Sequence, residues 1–267
     1  MTSGRQRIDV ASVNALGDRK SQEDCEAHFL LPPQGSGEGR LLVVLADGMG
    51  GHAAGEVASR LAVDAFFSTA KDNRRESSED ILALGMRIAG ETVMDAARAD
   101  HALSEMGTTL VAVIVEFEGD GPVLRWISIG DSPLWRIDAQ GVATRLNADH
   151  SLAGQLDADI RAGLITAEDA KDDPRRAKSN VLIHALTADT FDFDHAEFQR
   201  DAFALTPGDV VIVASDGIET LSEPQLGALA RDAKADGAAV AAKAILKAVL
   251  GAKAKHQDNV TIAVVQV

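Results

Sequence analysis

The sequence predicts an α+β protein in which antiparallel sheets are covered by helices. Apolar runs of strand length occur in clusters, and the helical patterns between the clusters come in pairs. Regular strand–helix alternation is missing, which favours antiparallel sheets over a doubly wound parallel sheet. The 267 residues, 46% of them hydrophobic, are enough for one large domain, and no linker or internal repeat divides residues 1–267.

The first half of the chain begins with strands and continues with two helices. Residues 5–13 alternate apolar and polar side chains, and residues 25–31 form a second apolar run before a Pro- and Gly-rich loop. Residues 41–46 are continuously apolar, as in a strand buried on both faces. Apolar residues then recur with helical spacing across 57–66, and a polar stretch separates this helix from a second one around 81–88.

The second half contains more strands and ends with the clearest helical period. Strands are predicted at 109–117, 123–129 and 134–137, and the charge-rich residues 152–178 are predicted to be a surface excursion with short helices. Further strands are predicted at 181–185, 197–205, 210–215 and 260–267. A helix around 240–249 carries its apolar residues on one face and Lys243 and Lys247 on the other.

Composition excludes several classes of function. A net charge of −15 and a pI of about 4.8 leave no basic surface for a nucleic acid. The single Cys25 excludes an internal disulfide and a cysteine-based zinc site, and it fits the reducing cytoplasm, where we expect the protein to act. No secretory signal is recognisable, and no stretch approaches the roughly 20 apolar residues of a membrane span.

Four aspartates lie at the ends of apolar strands. Asp47, Asp131 and Asp216 follow predicted strands, and Asp258 directly precedes the last one. If the last strand runs antiparallel to its neighbour, all four carboxylates reach one edge of the sheets. Carboxylates that are crowded in a partly dry site repel each other, and hard divalent cations relieve this repulsion through oxygen ligands. The sequence therefore predicts a carboxylate-bound metal site.

Two other interpretations of the Asp47-Gly48 segment are open. Asp-Gly is a common hairpin turn, but a helix follows here instead of a returning strand. Residues 48–53 also match the glycine pattern of dinucleotide sites. In that case Asp47 would direct a negative charge at the pyrophosphate, and no acidic residue ends a second strand at the expected distance. An ion or a phosphate beside the glycines is therefore favoured.

The motifs, in their order along the chain, resemble the metal-dependent Ser/Thr protein phosphatases of type 2C in their compact bacterial form. Each motif is short, but they follow one another in the family's order from Arg19 almost to the end. The matching segments are Arg19 with Glu23-Asp24, Asp47-Gly48-Met49-Gly50-Gly51-His52, Met106-Gly107-Thr108-Thr109, Gly130-Asp131-Ser132, Asp149-His150-Ser151, Ser215-Asp216-Gly217 and Asp258-Asn259-Val260-Thr261.

This resemblance implies a four-layer α-β-β-α sandwich of two antiparallel sheets flanked by helix pairs, with a mobile flap at about 151–186. It also implies hydrolysis of phosphoserine and phosphothreonine in proteins by a water that two Mn²⁺ or Mg²⁺ ions activate. The resemblance implies that Asp47 bridges the two ions, that the Gly48 carbonyl binds one of them, and that Asp216 and Asp258 bind the other. It also implies that Glu23 and Asp24 hold ordered waters and that Arg19 binds the phosphoryl group. Asp131 with Asp216 would form a weaker third ion site.

Three positions depart from the animal relatives or from the family's usual pattern. Met49 stands where animal relatives have a histidine that is thought to act as general acid, which leaves two candidate proton donors, His52 and a metal-bound water. Thr220, beside Glu219, stands where those relatives have a carboxylate, so the third ion is in question. Pro133 replaces the family's usual arginine, which concerns a surface contact and not the two main ions.

The expected partners are phosphoprotein substrates and a cognate Ser/Thr kinase, and we expect a monomer without nucleic acid or membrane. Two other functions are open: a phosphatase-like regulatory binding module with weak catalysis, and a metal phosphohydrolase of small phosphate esters, since fold and metal site do not fix the substrate. The presence of all four aspartates argues against the binding module.

Overall fold

Two antiparallel sheets form the centre of the protein. The computed structural model describes residues 8–33, 39–50, 54–119, 121–189 and 191–267. The strands, in chain order, are β1 (Asp9–Ala15), β2 (Asp24–Leu31), β3 (Arg40–Met49), β4 (Gly107–Thr108), β5 (Leu110–Glu118), β6 (Gly121–Ile129), β7 (Leu134–Ile137), β8 (Ala143–Arg145), β9 (Leu186–Thr187), β10 (Glu197–Ala204), β11 (Val210–Ala214) and β12 (Val260–Gln266).

The strands divide between a five-stranded and a seven-stranded sheet. The first sheet has the order β1-β12-β11-β7-β8, and the second has the order β10-β6-β5-β3-β4-β9 with β2 paired to β3. Neighbouring strands pair antiparallel throughout, including β11 with β12. Because β11 and β12 are antiparallel, Asp216 after β11 and Asp258 before β12 can reach the same edge of the sheet.

The two sheets pack face to face because their strands are apolar on both faces. In β3, Leu41, Val43 and Leu45 point into the layer between the sheets, where they meet residues of β11 and β12. The alternate residues of β3 point to the helices on the other side. Since successive strand residues face opposite sides, the continuous apolar run at 41–46 follows from burial on both faces.

Helix pairs cover the outer faces of both sheets. The α-helices are α1 (Ala54–Asp72), α2 (Ser78–Ala99), α3 (Leu152–Arg161), α4 (Glu223–Ala233) and α5 (Ala238–Gly251). Helices α1 and α2 pack on the second sheet through a shared apolar cluster, and α4 and α5 pack on the first sheet. The layers are therefore helices, sheet, sheet and helices, which confirms the predicted α+β class and its four-layer arrangement.

The segment between α3 and β9 differs from the sequence-based expectation. The predicted strand at 181–185 is wrong: residue 182 makes only an isolated bridge to Ser151, and a two-residue strand follows at β9. Val181 and Ile183 are 48% and 39% exposed, so the apolar alternation marks a surface and not a sheet face. Short 3-10 helices at 169–172 and 174–178 agree with the predicted excursion.

Three further differences concern short or weakly patterned elements. The sequence reading did not predict β8 or α4, and the described part of the first strand begins at residue 9, later than expected. The start of the predicted strand, residues 5–7, lies outside the described residues. No helix within the described ranges is long and apolar enough to cross a membrane.

Candidate metal centre

Asp47 sits near the end of β3, where backbone and side-chain bonds fix its position. Its N–H donates to Thr109 Oγ1 over 2.9 Å, and its carbonyl accepts from the Thr109 N–H over 2.9 Å. Across the β2–β3 ladder, Asp47 lies opposite Asp24. The sheet therefore brings two carboxylates to neighbouring positions before any ion is considered.

Gly48 lets three segments approach more closely than a side chain would allow. A Cβ at this position would lie 2.1 Å from the Gly55 carbonyl oxygen and 2.6 Å from the Glu23 carbonyl oxygen. The Gly48 N–H donates to that Glu23 oxygen over 3.0 Å. Glycine is needed here for the close approach of backbones, which holds Glu23 against the end of β3.

Asp216 and Asp258 meet because β11 and β12 are antiparallel neighbours. Asp216 follows β11 at the start of a 3-10 helix, and Asp258 precedes β12. A Cβ on Gly217 would lie 2.0 Å from the Asn259 carbonyl oxygen, so the two segments touch directly behind the carboxylates. Asp131 completes the set from the loop after β6.

These residues line one cavity of about 230 Å³. It lies at the shared edge of the two sheets, since β3 and β6 belong to one sheet and β11 and β12 to the other. The cavity brings together seven of the nine predicted site residues: Arg19, Glu23, Asp47, Gly48, Asp131, Asp216 and Asp258. The eighth, Asp24, lies directly behind Asp47, and the ninth, His52, falls outside the described residues.

Asp24 is held at one oxygen and unpartnered at the other. Its Oδ2 accepts from Ser215 Oγ over 2.8 Å, whereas its Oδ1 is buried without a hydrogen-bond partner. Burial raises the pKa of Asp24, and the negative charge of Asp258 adds to this rise. A buried oxygen without a partner is costly, so this site favours a water or an ion beside it.

The clustered carboxylates raise one another's pKa values. Burial, followed by repulsion from Asp24, Asp216, Asp131 and Asp258, raises the pKa of Asp47 well above its usual range. Burial, followed by the charge of Asp131, raises the pKa of Asp216 to about 7. Burial, followed by the charge of Asp149, raises the pKa of Asp131 to about 6. Without cations, the site is therefore electrostatically strained at neutral pH.

Arg19 provides the positive charge that reaches the cavity from the loop before β2. Its Nη2 forms an ion pair with Asp258 Oδ2, and this contact raises the pKa of the guanidinium. The other oxygen of Asp258 accepts from the Asn259 N–H over 2.7 Å. One predicted metal ligand is therefore engaged by the predicted phosphate-binding residue.

The donor set fits hard divalent ions, although it is not a preformed cage. Within the described ranges, no three acidic, histidine or cysteine side chains are grouped closely enough to hold an ion as they stand. The described ionisable side chains that line the cavity are carboxylates apart from Arg19, and Asp24 Oδ1 is a buried acceptor without a donor. Oxygen-only donors with mutual repulsion suit Mg²⁺ or Mn²⁺ better than softer metals.

Gln257 was not recognised from the sequence, although it connects three loops of the site. Its Nε2 donates to the Gly217 carbonyl over 3.0 Å, and its Oε1 accepts from Thr220 Oγ1 over 2.9 Å. Its backbone N–H donates to Asp18 Oδ2 over 2.9 Å. A single glutamine before Asp-Asn gives no signal in the sequence, because its partners lie on distant segments.

Arg145 is a second residue that the sequence did not reveal. Its Nη2 donates to the Asp131 carbonyl over 2.5 Å, and its Nη1 contacts Glu219 Oε1 at 3.1 Å. Glu219 is thus bound to an arginine, and its neighbour Thr220 is bound to Gln257. The side chain at position 220, where the animal relatives have a carboxylate for a third ion, and its neighbour at position 219 are therefore both engaged within this chain.

The comparisons with known proteins agree with this arrangement. The family described as protein phosphatase 2C matches residues 22–252. The chain is similar to the serine/threonine phosphatase stp of Listeria innocua, with 32% identity over 67% of each chain. Its fold is similar to the serine/threonine phosphatase PstP/Ppp of Mycobacterium tuberculosis, with a TM-score of 0.75, 26% identity and coverage of 97% and 98%.

A second similar structure contains metal. It is the catalytic domain of the serine/threonine protein phosphatase PstP in complex with two manganese ions, with a TM-score of 0.74, 26% identity and coverage of 97% of both chains. The match over residues 22–252, together with a fold that places the aspartates in one cavity, leads to a single conclusion. The chain belongs to the protein phosphatase 2C family.

Proposed function

We propose that this chain removes phosphate from phosphoserine and phosphothreonine in proteins, using divalent ions held in the carboxylate cavity. The observation that carries this proposal is the convergence of Asp47, Asp131, Asp216 and Asp258 with Arg19 on one cavity of about 230 Å³. The enzyme is a metal-dependent protein phosphatase, as are the bacterial relatives that share its family.

The proposed ion sites follow from the cavity residues. Asp47 and the Gly48 carbonyl would hold one Mn²⁺ or Mg²⁺ ion, and Asp47, Asp216 and Asp258 would hold the other. Support comes from the two manganese ions of the similar PstP domain. A weaker third ion that Asp131 and Asp216 would hold is part of the proposal, and the rise that the charge of Asp131 causes in the pKa of Asp216 supports it.

When bound, the ions supply positive charge to the phosphoryl oxygens and acidify a water for attack on phosphorus. The protein residues orient the reaction. Arg19 offers the planar fork of donors that matches a phosphoryl group, a geometry that lysine cannot copy. Glu23, which Ser21 Oγ and the Asn259 side chain hold in place, and Asp24 with its unpartnered oxygen position ordered waters around the ions.

Arg19 and the incoming ions compete for Asp258. Because the guanidinium engages Asp258 Oδ2, an ion at this carboxylate would compete with Arg19 for that oxygen. The released arginine is then free to contact the phosphoryl oxygens. Met49 lines the cavity but carries no proton that it can donate, so His52, which lies outside the described residues, stays the candidate proton donor.

Two other functions are less favoured. A binding module without catalysis has no need for a set of repelling buried carboxylates, whereas this chain retains all of them. A phosphohydrolase of small esters would need only the small cavity, but a larger cavity of about 630 Å³ adjoins it. The adjoining space suits a polypeptide that extends on one side of the phosphorylated residue.

The decisive experiment measures phosphate release from a phosphothreonine peptide and from a panel of small phosphorylated metabolites. We expect peptide hydrolysis with Mn²⁺ and its loss with a chelator. The reaction needs positive charge beside the phosphoryl group, and the ions supply it, whereas the carboxylates cannot. Release from metabolites alone would support a small-ester phosphohydrolase. Absence of release from every substrate would support the binding module.

The remaining expectations are part of the same proposal. We infer a single domain over residues 1–267, with residues 151–186 acting as a flap beside the cavity; the lining residues Asn180 and Leu182 from this segment support that role. We further expect a monomer that acts in the cytoplasm together with a cognate Ser/Thr kinase. A kinase encoded beside this chain would support that pairing.

A further inference from the structure

A second cavity of about 630 Å³ adjoins the carboxylate cavity. The two cavities share Met49, Asn180 and Leu182 in their linings. A polypeptide whose phosphorylated side chain occupies the first cavity therefore has the second one within reach of its neighbouring residues. The shared wall also means that a group bound in the second cavity cannot be remote from the reaction.

One side of the second cavity offers apolar and ring surfaces. Val181, Ile183 and Phe191 belong to its lining, and the first two are 48% and 39% exposed. The His184 and His195 rings, also in the lining, are stacked with centroids 4.2 Å apart. Exposed apolar side chains grouped around a cavity are typical of a binding surface, and planar rings suit a guanidinium group.

The lining of the second cavity also contains two acidic residues. Asp189 and Asp192 are exposed and line it. Asp192 Oδ1 accepts from the Asp194 N–H over 3.0 Å, and its Oδ2 lies 3.9 Å from His195 Nε2. None of the described residues in the lining is lysine or arginine, so both carboxylates lack a strong cationic partner within the cavity.

We propose that this cavity binds an arginine side chain of the phosphoprotein, close in sequence to the phosphorylated residue. The aliphatic stem packs on Ile183 and Phe191, and the guanidinium lies between the imidazole stack and the two aspartates. Long cationic side chains bury their stems and keep their charged ends near polar groups, and arginine also stacks on rings. The proposal rests on the proposed function, because it defines the sequence preference of the same phosphatase.

The first test is a peptide scan with the Mn²⁺-loaded enzyme. A single arginine is placed at each position within about four residues of a phosphothreonine, a reach of roughly 13 Å in an extended chain. We expect kcat/KM to rise about fivefold to tenfold at one or two positions on one side only, as for a partly exposed charge pair with added stacking. A flat scan, or a stronger effect of leucine or glutamate at the best position, would overturn the proposal.

The second test exchanges the charge in the protein. Asp189→Lys and Asp192→Lys should reverse the preference at the best position from arginine to glutamate. Asp194→Lys is the matched control, because Asp194 is exposed in the 3-10 helix Phe193–His195, which Asp192 caps, but it does not line the cavity. Asp189 lies outside that helix, so its variant also separates the effect of charge from a local change of structure.

A preference that shifts equally in all three variants, or in none, would contradict the arginine site. Hydrolysis of p-nitrophenyl phosphate and of the peptide without arginine should remain unchanged in each variant. These two reactions also distinguish a failure of the proposed function from a failure of the arginine site. Loss of all Mn²⁺-dependent turnover in the unaltered protein would contradict the proposed function, whereas retained turnover without an arginine preference would contradict only the second cavity's role.

Discussion

The ionisation of single side chains decides how stable the folded protein is when the carboxylate cavity holds no ions and when it holds them. Asp47 is in the centre of the set, and burial together with the charges of its neighbours raises its pKa. Asp258 is partly relieved by its ion pair with Arg19, but no comparable cation contacts Asp47 among the described residues. Asp47 is therefore the position where removal of a charge should act most strongly.

Asp47→Asn should have opposite effects on activity and on stability. We expect phosphatase activity to fall roughly a hundredfold or more, since even partners outside the ligand shell cost up to a hundredfold. The metal-free variant should be more stable than the unaltered protein at pH 8, because one repelling charge is gone. Thermal unfolding with a chelator and phosphate release with Mn²⁺ measure the two effects. Near-normal turnover, or lower metal-free stability at pH 8, would contradict this assignment.

Gln257 connects the loop that carries Asp216 to the loop that carries Asp258. Its amide bonds to the Gly217 carbonyl and to Thr220, and its side chain is buried at 7% exposure. Gln257→Leu keeps the volume but leaves both partners unsatisfied. We expect Mn²⁺ affinity, measured by calorimetry, to fall roughly tenfold to a hundredfold, as when other outer partners of metal ligands are lost.

Gln225→Ala is the matched control for that experiment. The Gln225 side chain accepts from the Ser222 N–H over 2.9 Å at the start of α4, and Gln225 does not line the carboxylate cavity. This variant should lower the free energy of unfolding by about 1 kcal/mol through the lost cap, with no change in Mn²⁺ affinity. Equal Mn²⁺ affinities in both variants would show that Gln257 does not position the ligands.

A buried arginine connects several elements of the seven-stranded sheet. Arg125 on β6 contacts Glu116 at 2.7 Å and Glu118 at 2.6 Å on β5, and Glu79 at 2.7 Å in the first turn of α2. Its Nε also donates to the Arg200 carbonyl on β10 over 3.0 Å. The side chains of Arg125 and Glu116 are each only 8% exposed, so Arg125 compensates a buried charge at Glu116, whereas Glu79 and Glu118 are partly exposed to water.

Arg125→Met should therefore destabilise the fold strongly. Loss of one partner from a buried ion pair typically costs about 3–5 kcal/mol, because the remaining charge is uncompensated. Urea unfolding measures the difference. Arg60→Ala is the control, since Arg60 forms an exposed pair with Glu56 on α1 that is worth at most about 0.5 kcal/mol. Similar losses in both variants would mean that the Arg125 network contributes little.

The elements that sequence reasoning found are those whose pattern follows from burial on a defined face. The runs of β3, β5, β6, β11 and β12 are apolar on both faces, and the helical period of α1, α2 and α5 is long enough to recognise. The two-residue strands β4 and β9 and the three-residue β8 are too short for any period. Helix α4 buries mainly Leu226 and small residues, which give little contrast with its exposed face.

The site was predicted as far as its residues carry a chemical signature. Aspartates at strand ends and glycines beside them are visible in the sequence, and the cavity contains them. The residues that orient them, Gln257 and Arg145, have ordinary neighbours in the chain and acquire their role only through contacts with segments that are distant in sequence. Such roles depend on tertiary structure and leave no local pattern.

For the molecule as a whole, the raised carboxylate pKa values link stability to pH and to metal. In the folded protein Asp216 titrates at about 7 and Asp131 at about 6, whereas an unfolded aspartate titrates at roughly 3.9. Between these values the folded state binds more protons than the unfolded state. The stability that these groups contribute is therefore present at low pH and is lost as the pH rises through about 7.

The histidines define the pH range in which the effect of the carboxylates on stability can be measured separately. Burial lowers the pKa of His150 to about 4, so its contribution has the opposite sign below the unfolded value of roughly 6.5. Above that value the unfolded histidine is also mostly neutral, and the carboxylates determine the slope. A test between about pH 6.5 and 8 therefore isolates the carboxylate cavity from the histidines.

In that window we expect the melting temperature of the metal-free protein to fall as the pH rises. Saturating Mn²⁺ should raise the melting temperature most at pH 8, because ions bind ionised carboxylates and stabilise the folded state that holds them. Thermal unfolding across the pH series, with chelator and with Mn²⁺, measures both trends. A metal-free protein that is more stable at pH 8 than at pH 6.5 would mean that the carboxylates are not crowded as the cavity indicates, and Mn²⁺ would then have no repulsion to relieve.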